Sequence, residues 1–358
     1  MFNIEMLPAK DGDCLWIEYG KPDEIHRVVI DGGPLGARDA LRNRILALPV
    51  TERNLELLVV THIDSDHIAG IVKLFQSPPE GLFIRQVWFN AYQHLGEGYL
   101  GAKEAEFLTV YLQKIEDERP GFWNGAFGGK AVVAPDEGLL PQRNLEGGLK
   151  LTVLGPDAKA LRALKGDWDE VISEYMTPGS LEEAEELLKK DKRYRPGYLG
   201  AIDVHELAQQ PFTEDASSAN GSSIIIAAEY DNKKCLLAAD AFPSKIAAGL
   251  NRFHNGGERY PFDAVKVPHH GSHHNNSNAL YQAIDSPVFL ISTDGSKHQH
   301  PDQEAIARIL DNKRRQVKLV FNYVSDFNSV WNSETLKESA EYTTCYASEE
   351  NEGIKTET

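Results

Sequence analysis

Leu57-Leu58-Val59-Val60 carries no polar side chain on either face and runs straight into Thr61-His62-Ile63-Asp64-Ser65-Asp66-His67. Successive side chains on a strand point to opposite sides, so a run apolar throughout belongs to a sheet covered on both faces. The chain must therefore build layers on each side of this strand. It must also accommodate four metal-type side chains, His62, Asp64, Asp66 and His67, packed into six residues beyond the strand.

The pattern recurs. Leu236-Leu237-Ala238-Ala239 leads into Asp240, Val265-Lys266-Val267-Pro268 into His269-His270-Gly271-Ser272, and Leu290-Ile291-Ser292 soon reaches His298, His300 and Pro301. Strand ends of a layered α/β protein lie along one rim, where residues distant in sequence converge. Imidazole and carboxylate together suit Zn, Fe and Mn. His62 and Asp64, two apart in an extended turn, can reach one ion, and Asp66 and His67 a second as the chain enters a helix. The plain alternative is a solvated turn with two histidines. Asp240 or His269 alone would be a cap or a core histidine, but together they complete a ligand set.

Alternating patterns predict strands over 2–7, 14–19 and 27–31, the last closing on Gly32-Gly33-Pro34. Helices are expected over 38–48, 67–75 and 103–118, and a hairpin joins 222–230 to 235–239 around Asp231-Asn232-Lys233. Strands thus fall into two groups, before residue 155 and after residue 220. Between them, 157–215 is charged and helical, with Ser180 and Glu183 as a capping box, and reads as an insertion. Residues 1–332 are expected to form one domain, and 333–358, acidic and without a core pattern, a loose tail.

Charge and cysteines narrow the setting. The formal net charge of −17 opposes polyanion binding over most of the surface, although 37 Lys and Arg leave room for a local basic channel. Three widely spaced cysteines, Cys14, Cys235 and Cys345, argue against a disulfide framework. The first residues carry Glu5, Asp11 and Asp13 in place of a basic start and an apolar stretch, and no apolar run approaches the roughly 20 residues that span a bilayer. A cytoplasmic protein without a membrane partner is expected.

His62-Ile63-Asp64-Ser65-Asp66-His67, with Thr61 before and Gly70 after, resembles the HxHxDH signature of the metallo-β-lactamase superfamily in the variant HxDxDH. The resemblance is closest to the soluble metallo-β-lactamase-like domain of the competence protein ComEC. It rests further on Ile30-Asp31-Gly32-Gly33, Asn220 with Ser223, Asp240, Pro268-His269-His270-Gly271-Ser272 and His300-Pro301, in family order across residues 1–322. It implies an αββα sandwich of two mixed sheets. It implies too that His62, Asp64, Asp66, His67, Asp240 and His269 hold metal, with Asp240 bridging two ions and His269 the late ligand of the second. His270 and His300 would contact substrate or move a proton beside Asp66. One departure stands out: the isolated histidine expected before Asp240 has no counterpart, Gly155-Pro156 occupies its place, and His94 and His205 are the possible substitutes.

The expected function is a dinuclear metal-dependent hydrolase of the phosphodiesterase or nuclease type, using a metal-activated hydroxide on a nucleic-acid or nucleotide substrate. Zinc is the expected metal, with Mn or Fe competing because Asp64 hardens the site. Two other readings remain: a hydrolase of small esters, lactones or thioesters, and a metal-stabilised interaction module that binds a protein through the acidic insertion.

Overall fold

A computed structural model describes residues 1–95, 103–174, 202–254, 259–349 and 352–357. Strands β1 (Phe2–Met6), β2 (Leu15–Lys21), β3 (Glu24–Ile30), β4 (Leu57–Val60) and β5 (Val87–Phe89) form one sheet. A second contains β6 (Gln142–Asn144), β7 (Lys150–Gly155), β8 (Ile225–Tyr230), β9 (Lys233–Leu237), β10 (Ala264–Lys266), β11 (Val288–Ile291), β12 (Val317–Phe321) and β13 (Tyr342–Tyr346). The chain then returns to the first sheet with β14 (Ile354–Glu357), which gives the orders β14-β1-β2-β3-β4-β5 and β13-β12-β11-β10-β9-β8-β7-β6.

Side-chain alternation turns these sheets into four layers. On β4, Leu58 and Val60 pack with Leu41 and Ile45 of α1 (Arg38–Leu46), Ile68 and Ile71 of α2 (Ser65–Gln76), Leu108 and Leu112 of α3 (Lys103–Glu118), and Leu164 and Trp168 of α4 (Ala158–Glu174). Leu57 and Val59 point the other way, into a cluster with Ile17, Val28 and Trp88 that also takes Val153, Ile226, Leu237, Leu290 and Val320 from the second sheet. The far face of that sheet, with Leu236, Val265, Phe289 and Leu319, is covered by α5 (Pro243–Phe253) and α6 (Gln303–Asn312). This is the mixed αββα sandwich that the uniformly apolar β4 demanded.

The parallel strands set the position of the polar clusters. β3, β4 and β5 are parallel neighbours, as are β9, β10, β11, β12 and β13. Their carboxyl ends therefore lie on one rim in each sheet, and the Ile224 N–H, donating to the Thr61 carbonyl at 2.9 Å, ties the two rims together. The hairpin between β8 and β9 turns on Asp231 and Asn232, both left-handed (φ 48° and 64°), as a tight two-residue turn requires.

Two expectations need revision or fall outside view. The stretch from 333 is not loose: β13 pairs with β12, and β14 pairs with β1 in the register Met6↔Ile354 and Ile4↔Thr356. Both are short edge strands burying alternate residues, such as Ile354 and Thr356, so they carry too little apolar pattern to be read from sequence. Much of the proposed insertion, including Ser180 and Glu183, lies outside the described residues. No helix among the described residues is long and apolar enough to cross a membrane. If β14 docks as described, Ile354→Ala should cost about 2 kcal/mol in equilibrium urea unfolding; an unchanged midpoint would mean that the strand is not part of the folded sheet.

Candidate metal centre

Asp31 organises the rim of the first sheet. Left-handed at φ 60°, it follows β3 and accepts from the Thr61 N–H (2.8 Å), the Thr61 hydroxyl (2.7 Å) and His67 Nδ1 (2.8 Å). The Thr61 hydroxyl has one proton and gives it to Asp31, so at 3.0 Å it accepts from His62 Nδ1. Both imidazoles thus hold their Nδ1 proton against protein and turn Nε2 inward, the arrangement that orients metal-binding histidines. Gly70 permits the approach: a Cβ there would stand 1.9 Å from the Gly32 carbonyl oxygen, so α2 could not seat against the turn beneath Asp31.

The second sheet brings Asp240 from the end of β9 and the His269-His270 pair from the end of β10. His269 and His270 are both left-handed, φ 44° and 52°, a conformation that costs non-glycine residues energy and accumulates at functional sites. His270 Nδ1 donates to the Ser292 carbonyl at 2.8 Å and lies 3.4 Å from Asp13 Oδ1, which again leaves Nε2 facing inward.

One donor atom from each of Asp66, His67, Asp240 and His270 lies within 4.8 Å of the others. His67 Nε2 is 3.3 Å from Asp240 Oδ2 and 3.3 Å from His270 Nε2, while His270 Nε2 is 3.3 Å from Asp66 Oδ2 and 3.4 Å from Asp240 Oδ2. Donors about 2.0–2.1 Å from a tetrahedral ion stand roughly 3.3–3.4 Å apart, so these four suit a divalent cation. Beside them, His62 Nε2 lies 3.6 Å from Asp64 Oδ2 and 4.0 Å from Asp240 Oδ2. His62 Nε2, Asp64 Oδ1 and Asp240 Oδ1 are buried with no hydrogen-bond partner. Lone pairs left unused in the interior fit a second cation on that side, with Asp240 between the two.

The electrostatics agree with a cation-binding cluster. Burial favours neutral His67 and His270, but the carboxylates outweigh it: Asp240, Asp31 and Asp66 around His67, and Asp240 and Asp13 around His270, push both imidazoles well above the usual histidine range. Burial would likewise raise Asp66 and Asp240, yet His67 and His270 hold both below the usual carboxylate range. A divalent ion competes with these protons, so its uptake releases protons and weakens as pH falls.

Of the residues expected from sequence, His62, Asp64, Asp66, His67 and Asp240 gather here. The group of four contains His270, which was expected at the substrate, and not His269, which was expected among the ligands. His269 stands one step out, its Nε2 3.7 Å from Asp240 Oδ2 and its Nδ1 2.8 Å from Asn275 Oδ1. His300 packs against His269 with ring centroids 5.5 Å apart, and burial holds its imidazole below the usual range. His94 stacks edge-on against Trp123 and accepts from the Ala91 N–H, its pKa lowered to about 4 by burial, while His205 pairs with Asp311. Neither is in the cluster.

Sequence reading missed Asp13 and Lys266. Lys266 Nζ lies 2.7 Å from Asp13 Oδ2 with both side chains almost wholly buried, and Lys266 together with His270 holds Asp13 below the usual carboxylate range against its burial. A lysine inside the apolar run Ala264-Val265-Lys266-Val267 was the available signal, since buried lysines need a partner. Lys266→Met strands the Asp13 charge and should destabilise the metal-free protein by about 3–5 kcal/mol in urea unfolding; a loss below about 1 kcal/mol would show that the pair is solvated.

A layered sandwich with a His and Asp cluster on one rim is an α/β protein with a group able to hold a metal ion. The sequence matches the metallo-beta-lactamase superfamily over residues 9–295, and the chain belongs to that superfamily, whose members are typically dinuclear metal hydrolases. No curated protein matches it. Among solved structures it is similar to a CmlA beta-hydroxylase mutant at 11% identity and a TM-score of 0.39, with 100% of this chain and 54% of that chain covered. The chain thus spans about half the length of that protein.

Proposed function

We propose that this protein is a dinuclear phosphodiesterase of the nuclease type, related most closely to the soluble ComEC-like domain, and that it acts in the cytoplasm. The observation that carries the reading is the place of Asp240, whose Oδ2 lies 3.3 to 4.0 Å from Nε2 of His62, His67, His269 and His270. Asp66, His67 and His270 would hold one ion and His62 and Asp64 the other, with Asp240 shared. Zinc suits the imidazoles, and the carboxylates Asp64 and Asp66 also admit Mn or Fe. Two divalent ions there would supply Lewis acidity and a water ionised near neutral pH.

The chain's own residues account for the rest. Asp31, Thr61 and the Ser292 carbonyl fix the imidazole orientations, so that little rearrangement accompanies the reaction. His269 and His300, adjacent beside the ring, are placed to hold a phosphoryl oxygen, and His300 Nδ1 faces the buried Asp302 carboxylate at 3.6 Å, which orients its ring. The net charge of −17 favours the second reading, a small neutral ester, lactone or thioester, over long DNA. A protein partner of the charged 157–215 stretch is the third.

Elemental analysis of protein purified without chelators should give two transition-metal equivalents per chain, and Asp240→Ala should lose both. Chelation should abolish activity and re-metallation restore it. Asp66→Ala should lower hydrolysis of a phosphodiester by about a hundredfold or more; full activity would end the proposal. A panel of single-stranded DNA, a cyclic dinucleotide and lactones identifies the substrate class. Turnover of lactones alone selects the second reading, and metal-loaded protein inactive on the whole panel but retained by a protein partner the third.

A further inference from the structure

The group of Asp66, His67, Asp240 and His270 has four donors, but the side facing His62 has fewer, and the histidine expected to complete it is absent: Gly155 sits within β7 and His94 and His205 lie elsewhere. We propose that Asn220, through its side-chain oxygen and with the Ser223 hydroxyl beside it, supplies the missing donor to the cation held by His62, Asp64 and Asp240.

Three observations carry this. Asn220 and Ser223 are 5% and 0% exposed, yet Asn220 Oδ1 and Ser223 Oγ make no hydrogen bond, the same condition as His62 Nε2, Asp64 Oδ1 and Asp240 Oδ1. A buried acceptor left unsatisfied costs about 1–3 kcal/mol, a cost that a cation beside these oxygens would relieve. Second, the orientation of the amide is decided by its neighbour. Asn220 Nδ2 lies 2.6 Å from Asp215 Oδ2, and because a carboxylate only accepts, the nitrogen must face it and the oxygen must face away.

Third, the segment is anchored on both flanks of the ion site. The Ile224 N–H donates to the carbonyl of Thr61, immediately before His62, at 2.9 Å. On the other flank, Asp215 accepts from Asn275 Nδ2 at 3.1 Å, and that same nitrogen donates to the Asp240 carbonyl at 3.0 Å. The short helix Ser218–Gly221, capped by the Ser217 hydroxyl, presents Asn220 between them. An amide oxygen is a harder donor than imidazole, so this substitution, with Asp64 in place of a histidine, tilts the site toward Mn or Fe over Zn.

The inference rests on the two-ion reading, and metal binding tests the two separately. Wild-type protein, Asn220→Ala and Asn220→Asp are stripped, equilibrated with Mn²⁺ or Zn²⁺, and titrated against a competing chelator with elemental analysis. The expected result is that Asn220→Ala keeps one ion at wild-type affinity and holds the other about tenfold or more weakly. Retention of the first ion also shows that the fold is intact. Asn220→Asp keeps an oxygen in place and should retain both. An amide needed only for its N–H contact with Asp215 would give the reverse order, with the aspartate variant worse than the alanine, and that order overturns the inference, as do two ions at unchanged affinity in Asn220→Ala. If Asn220→Ala does not fold, loss of one ion from Asn220→Asp overturns it and retention of both supports it. Wild-type protein that takes up no second ion removes the two-ion reading and this inference together.

Discussion

The carboxylate of Asp31 is the contact on which the centre depends. It takes the Thr61 N–H and hydroxyl and the Nδ1 proton of His67, and through the hydroxyl it also decides where the His62 proton sits. A single buried anion therefore fixes the backbone at the end of β4 and the tautomers of two imidazoles. That is why the polar run begun at Thr61 is ordered and not a solvated turn: its strand is held on both faces by apolar layers, and its side chains are held from behind by Asp31.

The second constraint is charge. Asp13, Asp31, Asp66 and Asp240 are almost entirely or largely buried at one rim, and isolated carboxylates cannot be left so without compensation. Lys266 offsets Asp13 permanently, and the imidazoles of His67 and His270 offset the others. The built-in lysine cation meets Asp13, whose other oxygen faces Nδ1 of His270, while His62 Nε2, Asp64 Oδ1 and Asp240 Oδ1 stay unpaired. Exchangeable cations are thus left to the inward side, where the imidazole Nε2 atoms point.

Much of this was legible in sequence because it follows from periodicity and from residue type. The uniform apolarity of Leu57-Leu58-Val59-Val60 required cover on two faces, and the polar clusters after β4, β9 and β10 were identified at their strand ends. What sequence could not resolve was which of two adjacent histidines turns inward. His269 and His270 differ by one position, and their paired left-handed backbone, not the sequence pattern, sends His270 into the ring. Asp13 and Lys266 escaped for a similar reason: Asp13 sits in the turn before β2 and Lys266 on β10, some 250 residues apart, and only the face-to-face packing of the sheets makes them partners. β13 and β14 were missed because edge strands need bury only alternate residues.

The donors come from both halves of the sandwich: His62, Asp64, Asp66 and His67 from the first sheet's rim, Asp240 and His270 from the second. Any ion gripped by both sets acts as a rivet through the seam between the sheets, and its binding free energy adds directly to the cohesion of the whole molecule. Occupancy and global unfolding are then thermodynamically one problem, on top of the apolar cluster that already joins the two sheets.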